Sequence, residues 1–144
     1  MAGELTLRVI TPERIAMDTT ATSVRIPGVD GSMGILARHA GMVAALDTGQ
    51  LRFSAADGEH RMFVNGGFAE VRDNTVRVVT EAGEHAAEID VERAREAEKR
   101  ARERIHVGTA GPETHYDSLR AEAALRRAQL RLLVSGGAPH QSSS

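Results

Sequence analysis

Near residue 85 the hydrophobic period of the chain changes from two to 3.6, and this confines it to a run of strands followed by helices. Up to Thr80 apolar and polar residues alternate, as in Leu5, Leu7 and Val9 and again in Phe68, Val71, Val76 and Val78. Such alternation marks antiparallel strands with one buried face. After Ile89 the spacing is helical. The predicted fold class is α+β: an N-terminal antiparallel β-sandwich (1–86), a C-terminal antiparallel two-helix hairpin (87–135) and a disordered tail (136–144). A strand region of that size closes its own core, whereas two thin amphipathic helices gain most of their stability by packing on something. The expectation is a β-module carrying a helical arm that docks or opens.

Glycine, proline and aspartate punctuate the strands. The first strand, about Glu4 to Ile10, ends at Thr11-Pro12, and a second extended stretch runs from about Arg14 to Ile26. Pro27-Gly28-Val29-Asp30-Gly31-Ser32-Met33-Gly34 then spaces three glycines three residues apart. It lacks the Gly-Lys-Ser/Thr ending of a Walker loop and the strand-then-helix setting of a dinucleotide fingerprint. It reads as consecutive tight turns in which glycine supplies positive φ. Short strands follow at Gly34 to Leu36, Met42 to Leu46, Gln50 to Ser54, Arg61 to Val64, Ala69 to Val71 and Thr75 to Thr80. Asp57-Gly58, Asn65-Gly66-Gly67 and Asp73-Asn74 mark turns between them.

Asp90 is a good N-cap for a first helix, about Val91 to His106, which Gly108 terminates. Thr114 with Asp117 reads as a variant capping box for a second, about His115 to Val134, closed by Gly136-Gly137. The loop from Gly108 to Pro112 is short enough to fold the helices back on each other. Ala94, Ala97, Ala101 and Ile105 share one helical face; Ala121, Leu125, Ala128 and Leu132 share the other, with Tyr116, Leu119, Ala123 and Leu130 beside it. At about 25 cal/mol per Å² buried alanines give little driving force per residue, so the packing is close but easily reversed.

Composition narrows the chemistry. The absence of cysteine excludes disulfides and thiolate zinc sites. No apolar run approaches the roughly 18 residues of a membrane helix, and Met1-Ala2-Gly3-Glu4 lacks the regions of a signal peptide, so the expectation is a soluble, non-exported protein. Up to Ala86 there are 8 basic and 11 acidic residues, and 10 and 9 after it. With one tyrosine, three phenylalanines and no tryptophan, no stacking platform for nucleic acid exists. The histidines at 39, 60, 85, 106, 115 and 140 show no metal-pair spacing, and no Gly-x-Ser-x-Gly is present, so catalysis is not expected. Asp90, Arg93 and Arg100 fall on one side of the first helix, and Arg127 and Arg131 lie one turn apart on the second. Folding the hairpin gathers arginines that would otherwise repel; a nucleotide phosphate chain or an acidic partner surface would resolve that.

The ordered set Pro27-Gly28 through Gly34-Ile35-Leu36, His39-Ala40, Leu46 with Gly49, Asn65-Gly66-Gly67-Phe68-Ala69-Glu70-Val71 and Ile89-Asp90-Val91-Glu92-Arg93-Ala94 resembles the epsilon subunit family of bacterial F-type ATP synthases over nearly the whole length. The resemblance implies a non-catalytic central-stalk subunit on the cytoplasmic face of the membrane, bound to the membrane only through its complex. Its expected partners are the gamma subunit, the c-ring and the alpha/beta catalytic head, with Ser32, His39 and Met42 as partner-binding candidates. The helical hairpin is expected to extend along gamma and inhibit ATP hydrolysis. No cofactor is implied, but some members bind regulatory ATP through an Ile-Asp-x-x-Arg-Ala motif. Ile89, Asp90, Arg93 and Ala94 match it, with Glu84 and Arg100 flanking and Arg127 and Arg131 on the second helix. The chain departs from the family pattern where Ala37-Arg38 replaces Pro-Gly, Ala40-Gly41 replaces Ala-Pro and Asp47-Thr48 replaces Lys-Pro. A reading from another class is a stand-alone ATP-sensing module unrelated to any rotor.

Overall fold

A computed structural model of the chain describes residues 3–106 and 112–136, with the backbone alone for 112–116. The chain forms two compact units, Met1–Glu88 and Ile89–Ser144. The first holds ten strands: β1 (Leu5–Ile10), β2 (Ile15–Ala21), β3 (Ser23–Gly28), β4 (Gly31–Leu36), β5 (Met42–Ala45), β6 (Thr48–Ala55), β7 (Gly58–Asn65), β8 (Phe68–Arg72), β9 (Thr75–Val79) and β10 (Gly83–His85). They build two five-stranded sheets, ordered β2-β1-β9-β8-β5 and β10-β7-β6-β3-β4. Among the described residues only β1 and β9 pair in parallel. The inward residues of both sheets meet in one core: Leu5, Leu7 and Val9 of β1, Val76 and Val78 of β9, Val24 and Ile26 of β3, Leu51 and Phe53 of β6, Met62 and Val64 of β7. The predicted sandwich is thus present, its buried positions following the period-two pattern.

Two strand expectations are corrected. The extended stretch from Arg14 to Ile26 is two strands in different sheets: Ala21 pairs with Leu5 in one, and Ser23 with Leu36 in the other. The bend falls at Thr22, whose N–H donates to the Ser54 carbonyl at 2.8 Å. A strand can switch sheets at a single-residue bend, which needs no glycine or proline to mark it. The glycine run is one hairpin, not consecutive turns. β3 and β4 pair from Ser23↔Leu36 to Gly28↔Gly31, leaving Val29 and Asp30 as its turn. Only Gly31, at φ 125°, takes a left-handed conformation there; Gly34 is an ordinary strand residue opposite Arg25. Gly28 is required by close approach, since a Cβ on it would lie 2.7 Å from the Gly31 carbonyl oxygen.

The predicted turns stand at Gly66 and Gly67 (φ 70° and 93°) and at Asp73 and Asn74 (φ 49° and 58°), the last pair with the signs of a type I′ hairpin turn. Beyond Thr80 the sequence reading missed β10 and a 3₁₀ turn at Ala86–Glu88, both too short to show a period.

The second unit consists of α1 (Val91–His106) and α2 (Pro112–Val134), packed on each other. The six Cα–Cα steps from His106 to Pro112 can span at most about 22 Å. That is shorter than α1, which rises about 24 Å. The helices therefore run antiparallel, as predicted. Ala94 and Ala101 of α1 are buried, as are Ala121, Ala128, Leu132 and Val134 of α2. Leu133 and Leu119 stay about half exposed at 49% and 51%.

The start of α2 is corrected: it begins at Pro112, so Thr114 is its third residue and not a cap. Proline has a preset helical φ and no N–H to leave unpaired, which suits the first helical position. Gly136 closes α2 with φ 77°, its N–H donating to the Leu133 carbonyl at 3.2 Å. The loop 108–111 and the tail 137–144 lie outside the described residues.

Candidate functional site

The candidate nucleotide residues of the helical unit take definite places around α1 and α2. Asp90 is the N-cap of α1: its Oδ1 accepts the Arg93 N–H at 3.1 Å, and its carbonyl accepts the Ala94 N–H at 3.0 Å. Ile89 and Ala94 are buried at 7% and 4% exposure. Arg93 and Arg100 each directly precede a buried alanine, Ala94 and Ala101; Arg127 and Arg131 directly precede buried Ala128 and Leu132. In an α-helix the preceding residue sits 100° away from the buried direction. For two antiparallel helices facing each other, that displacement carries both helices' preceding residues to the same rim. Arg93, Arg100, Arg127 and Arg131 therefore share one edge of the hairpin.

The other rim carries Arg95 and Arg102, each following a buried alanine, and these are paired with acids: Arg95 with Glu92 at 2.8 Å and Arg102 with Glu98 at 3.6 Å. Arg93, Arg100 and Arg127 have no such ion pair among the described residues. The arrangement concentrates cationic, bidentate-capable groups on one edge, which suits a phosphate chain or a carboxylate surface. Asp90 Oδ1 is committed to the cap.

Glu84 belongs to the sandwich unit, on β10, opposite Phe63 of β7. Of the partner candidates, Ser32 is exposed on β4 and its hydroxyl accepts a hydrogen bond from Arg25 at 3.1 Å. His39 is half-buried between β4 and β5, its Nδ1–H donating to the Ala40 carbonyl at 2.8 Å. Met42 packs toward the sandwich core. The exposed residues of that strand are Val43, at 69%, and Ala45. Val43 lies diagonally across from Phe68, which pairs with Ala45, and the Ala45 carbonyl accepts the Val29 N–H at 3.0 Å. Val29, Val43, Ala45 and Phe68 thus leave apolar surface open at the edge of the first sheet. The sequence reading missed Val43 and Val29, though period-two alternation from core-facing Met42 would have turned Val43 outward.

Among the described residues no three histidine or acidic side chains gather as a metal site, and no helix is long and apolar enough to cross a membrane. A cavity of about 440 Å³ on the second sheet, lined by Arg25, Arg52, Ser54 and Glu59, contains none of the nucleotide candidates.

Both units match known proteins in the order in which they occur. The family model of the ATP synthase delta/epsilon chain β-sandwich domain matches residues 4–86, and that of its long α-helix domain matches 87–136. The chain belongs to the ATP synthase delta/epsilon chain family. An ATP synthase epsilon chain of Symbiobacterium thermophilum is 46% identical over 139 residues, 96% of this chain and 97% of that one. One from Nitratidesulfovibrio vulgaris is 40% identical, over 96% of this chain and the whole of the other. A chain in the Euglena gracilis mitochondrial ATP synthase structure containing OSCP, F1 and c-ring has the same fold, with a TM-score of 0.64 at 23% identity over 92% of this chain and 78% of that chain. A chain of the Tetrahymena thermophila central stalk and c-ring also shares it, with a TM-score of 0.59 at 12% identity over 91% of this chain and 96% of that chain. The family anticipated from the Pro27–Leu36, Asn65–Val71 and Ile89–Ala94 segments is the one found.

Proposed function

We propose that the chain is the epsilon subunit of a bacterial F-type ATP synthase, a non-catalytic part of the central stalk that couples the c-ring to gamma and the catalytic head. The observation that carries this is the full-length match, in which both units align with epsilon chains in one order. The sandwich binds the rotor, and the apolar edge at Val29, Val43 and Phe68 offers the contact. Exposed apolar surface of this kind is costly to leave in water and marks protein interfaces. The complex holds the subunit at the cytoplasmic face of the membrane. Val43→Asp should abolish stoichiometric recovery of the chain with gamma while leaving the isolated chain folded; full recovery of that variant would refute the assigned edge.

The helices regulate hydrolysis, and the rim of Arg93, Arg100, Arg127 and Arg131 takes ATP when they are folded together. What supports this reading is the separation of charge, with ion-paired Arg95 and Arg102 on one rim and, on the other, Arg93, Arg100 and Arg127 without such a pair among the described residues. A lost charge-assisted hydrogen bond costs about 1.5–3 kcal/mol. Calorimetric titration of ATP should therefore show about tenfold or greater weakening in Arg127→Ala and none in Arg95→Ala. No heat from the unaltered chain at millimolar ATP would remove nucleotide from the account.

A further inference from the structure

Outside the surfaces already described, the sandwich unit contains a chain of hydrogen bonds through two histidines 25 residues apart. His85 on β10 lies beside His60 on β7, with His85 Nε2 and His60 Nδ1 3.0 Å apart. His60 Nε2 lies 2.7 Å from the Asp57 carboxylate, and the Ala87 N–H donates to His85 Nδ1 at 3.1 Å. The His60 ring stacks on Phe53 at 4.8 Å and 9°.

One proton arrangement satisfies every link. Ala87 N–H can only donate, so His85 Nδ1 bears a lone pair and His85 Nε2 carries the hydrogen. That hydrogen goes to His60 Nδ1, and His60 Nε2–H goes to Asp57. Both imidazoles are neutral, and the relay has no place for another proton. A proton on His60 Nδ1 meets the His85 Nε2–H head-on. Shifting His85 to its other tautomer only moves the conflict to Ala87, where Nδ1–H then faces N–H. A single added proton thus breaks one of the two links, and two protons set imidazoliums against each other.

The charged groups around the pair are few. The β6–β7 turn supplies Asp57, which the His60 hydrogen bond holds below its ordinary carboxylate value. The 3₁₀ turn supplies Glu88, which accepts the His85 N–H at 3.1 Å, and the turn before β2 supplies Arg14, bonded to Glu88 at 3.1 Å and to the Gly83 carbonyl at 3.1 Å. From β6 the Phe53 ring stacks on His60. Glu84, Glu59 and Arg61 precede or follow the histidines along their strands and point to the opposite face.

We infer that His60 and His85 form a proton-sensitive latch, which while neutral fastens the segment Gly83–Glu88 to β7 and on protonation releases it. That segment leads directly into Ile89 and the helical unit, so its release lengthens the tether from which the helices start. Histidine is the side chain whose charge ordinarily changes between about pH 8 and 5, so the test spans that interval.

Hydrogen exchange of the full chain, corrected for intrinsic rates, tests this. Protection of the His85 and Ala87 amides should fall at least tenfold between pH 7.5 and 5.5, while that of Leu7 and Val9 in β1 holds. His60→Phe keeps a ring on Phe53 but no nitrogens; its segment should be weakly protected at both pH values. Unchanged protection in the native chain, or a tenfold pH effect surviving in His60→Phe, would overturn the latch. Should that variant not fold, ring ¹⁵N shifts of the native chain decide. They should report Nε2–H on both histidines at pH 8, and an Nδ1–H tautomer on His85 would overturn the assignment.

Discussion

The backbone N–H of Arg93 donates to Asp90 Oδ1 at 3.1 Å, so the acidic residue of the Ile-Asp-x-x-Arg-Ala motif holds the first turn of α1. Capping is a structural task that serine also performs, whereas contact with a nucleotide is specific to the carboxylate. Asp90→Ala should cost the helical unit about 1 kcal/mol, and Asp90→Ser much less. Exchange protection across Val91 to Arg95 measures this. If the carboxylate also contacts ligand, Asp90→Ser keeps that protection and still weakens ATP binding.

Arg38 stands in the left-handed region at φ 67°, with its N–H donated to Asn74 Oδ1 at 2.6 Å. The family's usual Pro-Gly places glycine at this position, where it is free of the Cβ conflict that costs other residues about 1–2 kcal/mol. Arg38→Gly should stabilise the sandwich by a net of about 0.5–1 kcal/mol, since glycine gives back some of that through its greater unfolded-state freedom. Denaturant unfolding at neutral pH checks the sign.

Burial pushes the Glu88 carboxyl up, but the His85 N–H and the Arg14 guanidinium outweigh it, and the group lies below its ordinary value. A carboxylate with a depressed folded pKa stabilises above its unfolded value, about 4.3, and that contribution is lost as pH falls through the folded value. With 42% of the side chain exposed, solvent screens the effect and keeps it small. Glu88→Gln should therefore lower the denaturant midpoint at pH 7.5, and the difference from the native chain should shrink as pH falls below about 4. A constant difference across that range would mean that Glu88 acts through shape and not charge.

The sandwich was legible wherever one face is buried, because Leu5, Leu7 and Val9 or Val76 and Val78 repeat with the strand period. α1 was legible because Asp90 caps it and alanines recur along it. What sequence hid lies where no period or turn residue operates. A single bend at Thr22 divides one extended run between two sheets, and three residues of β10 are too few to alternate. The His60–His85 contact joins residues whose proximity only sheet pairing creates. The arginine rim was partly visible, since helical spacing aligns Arg93 with Arg100 and Arg127 with Arg131. Placing both pairs on one edge required knowing which alanines are buried.

The most direct test of the regulatory role is ATP hydrolysis by the rotor-containing catalytic complex lacking this subunit, with the full chain or residues 1–88 added back. The sandwich core lies entirely within that fragment, so it should fold and bind by itself. The account predicts that both forms bind and only the full chain suppresses turnover. Equal suppression by the two, or none by the bound full chain, would contradict an inhibitory function of the helices.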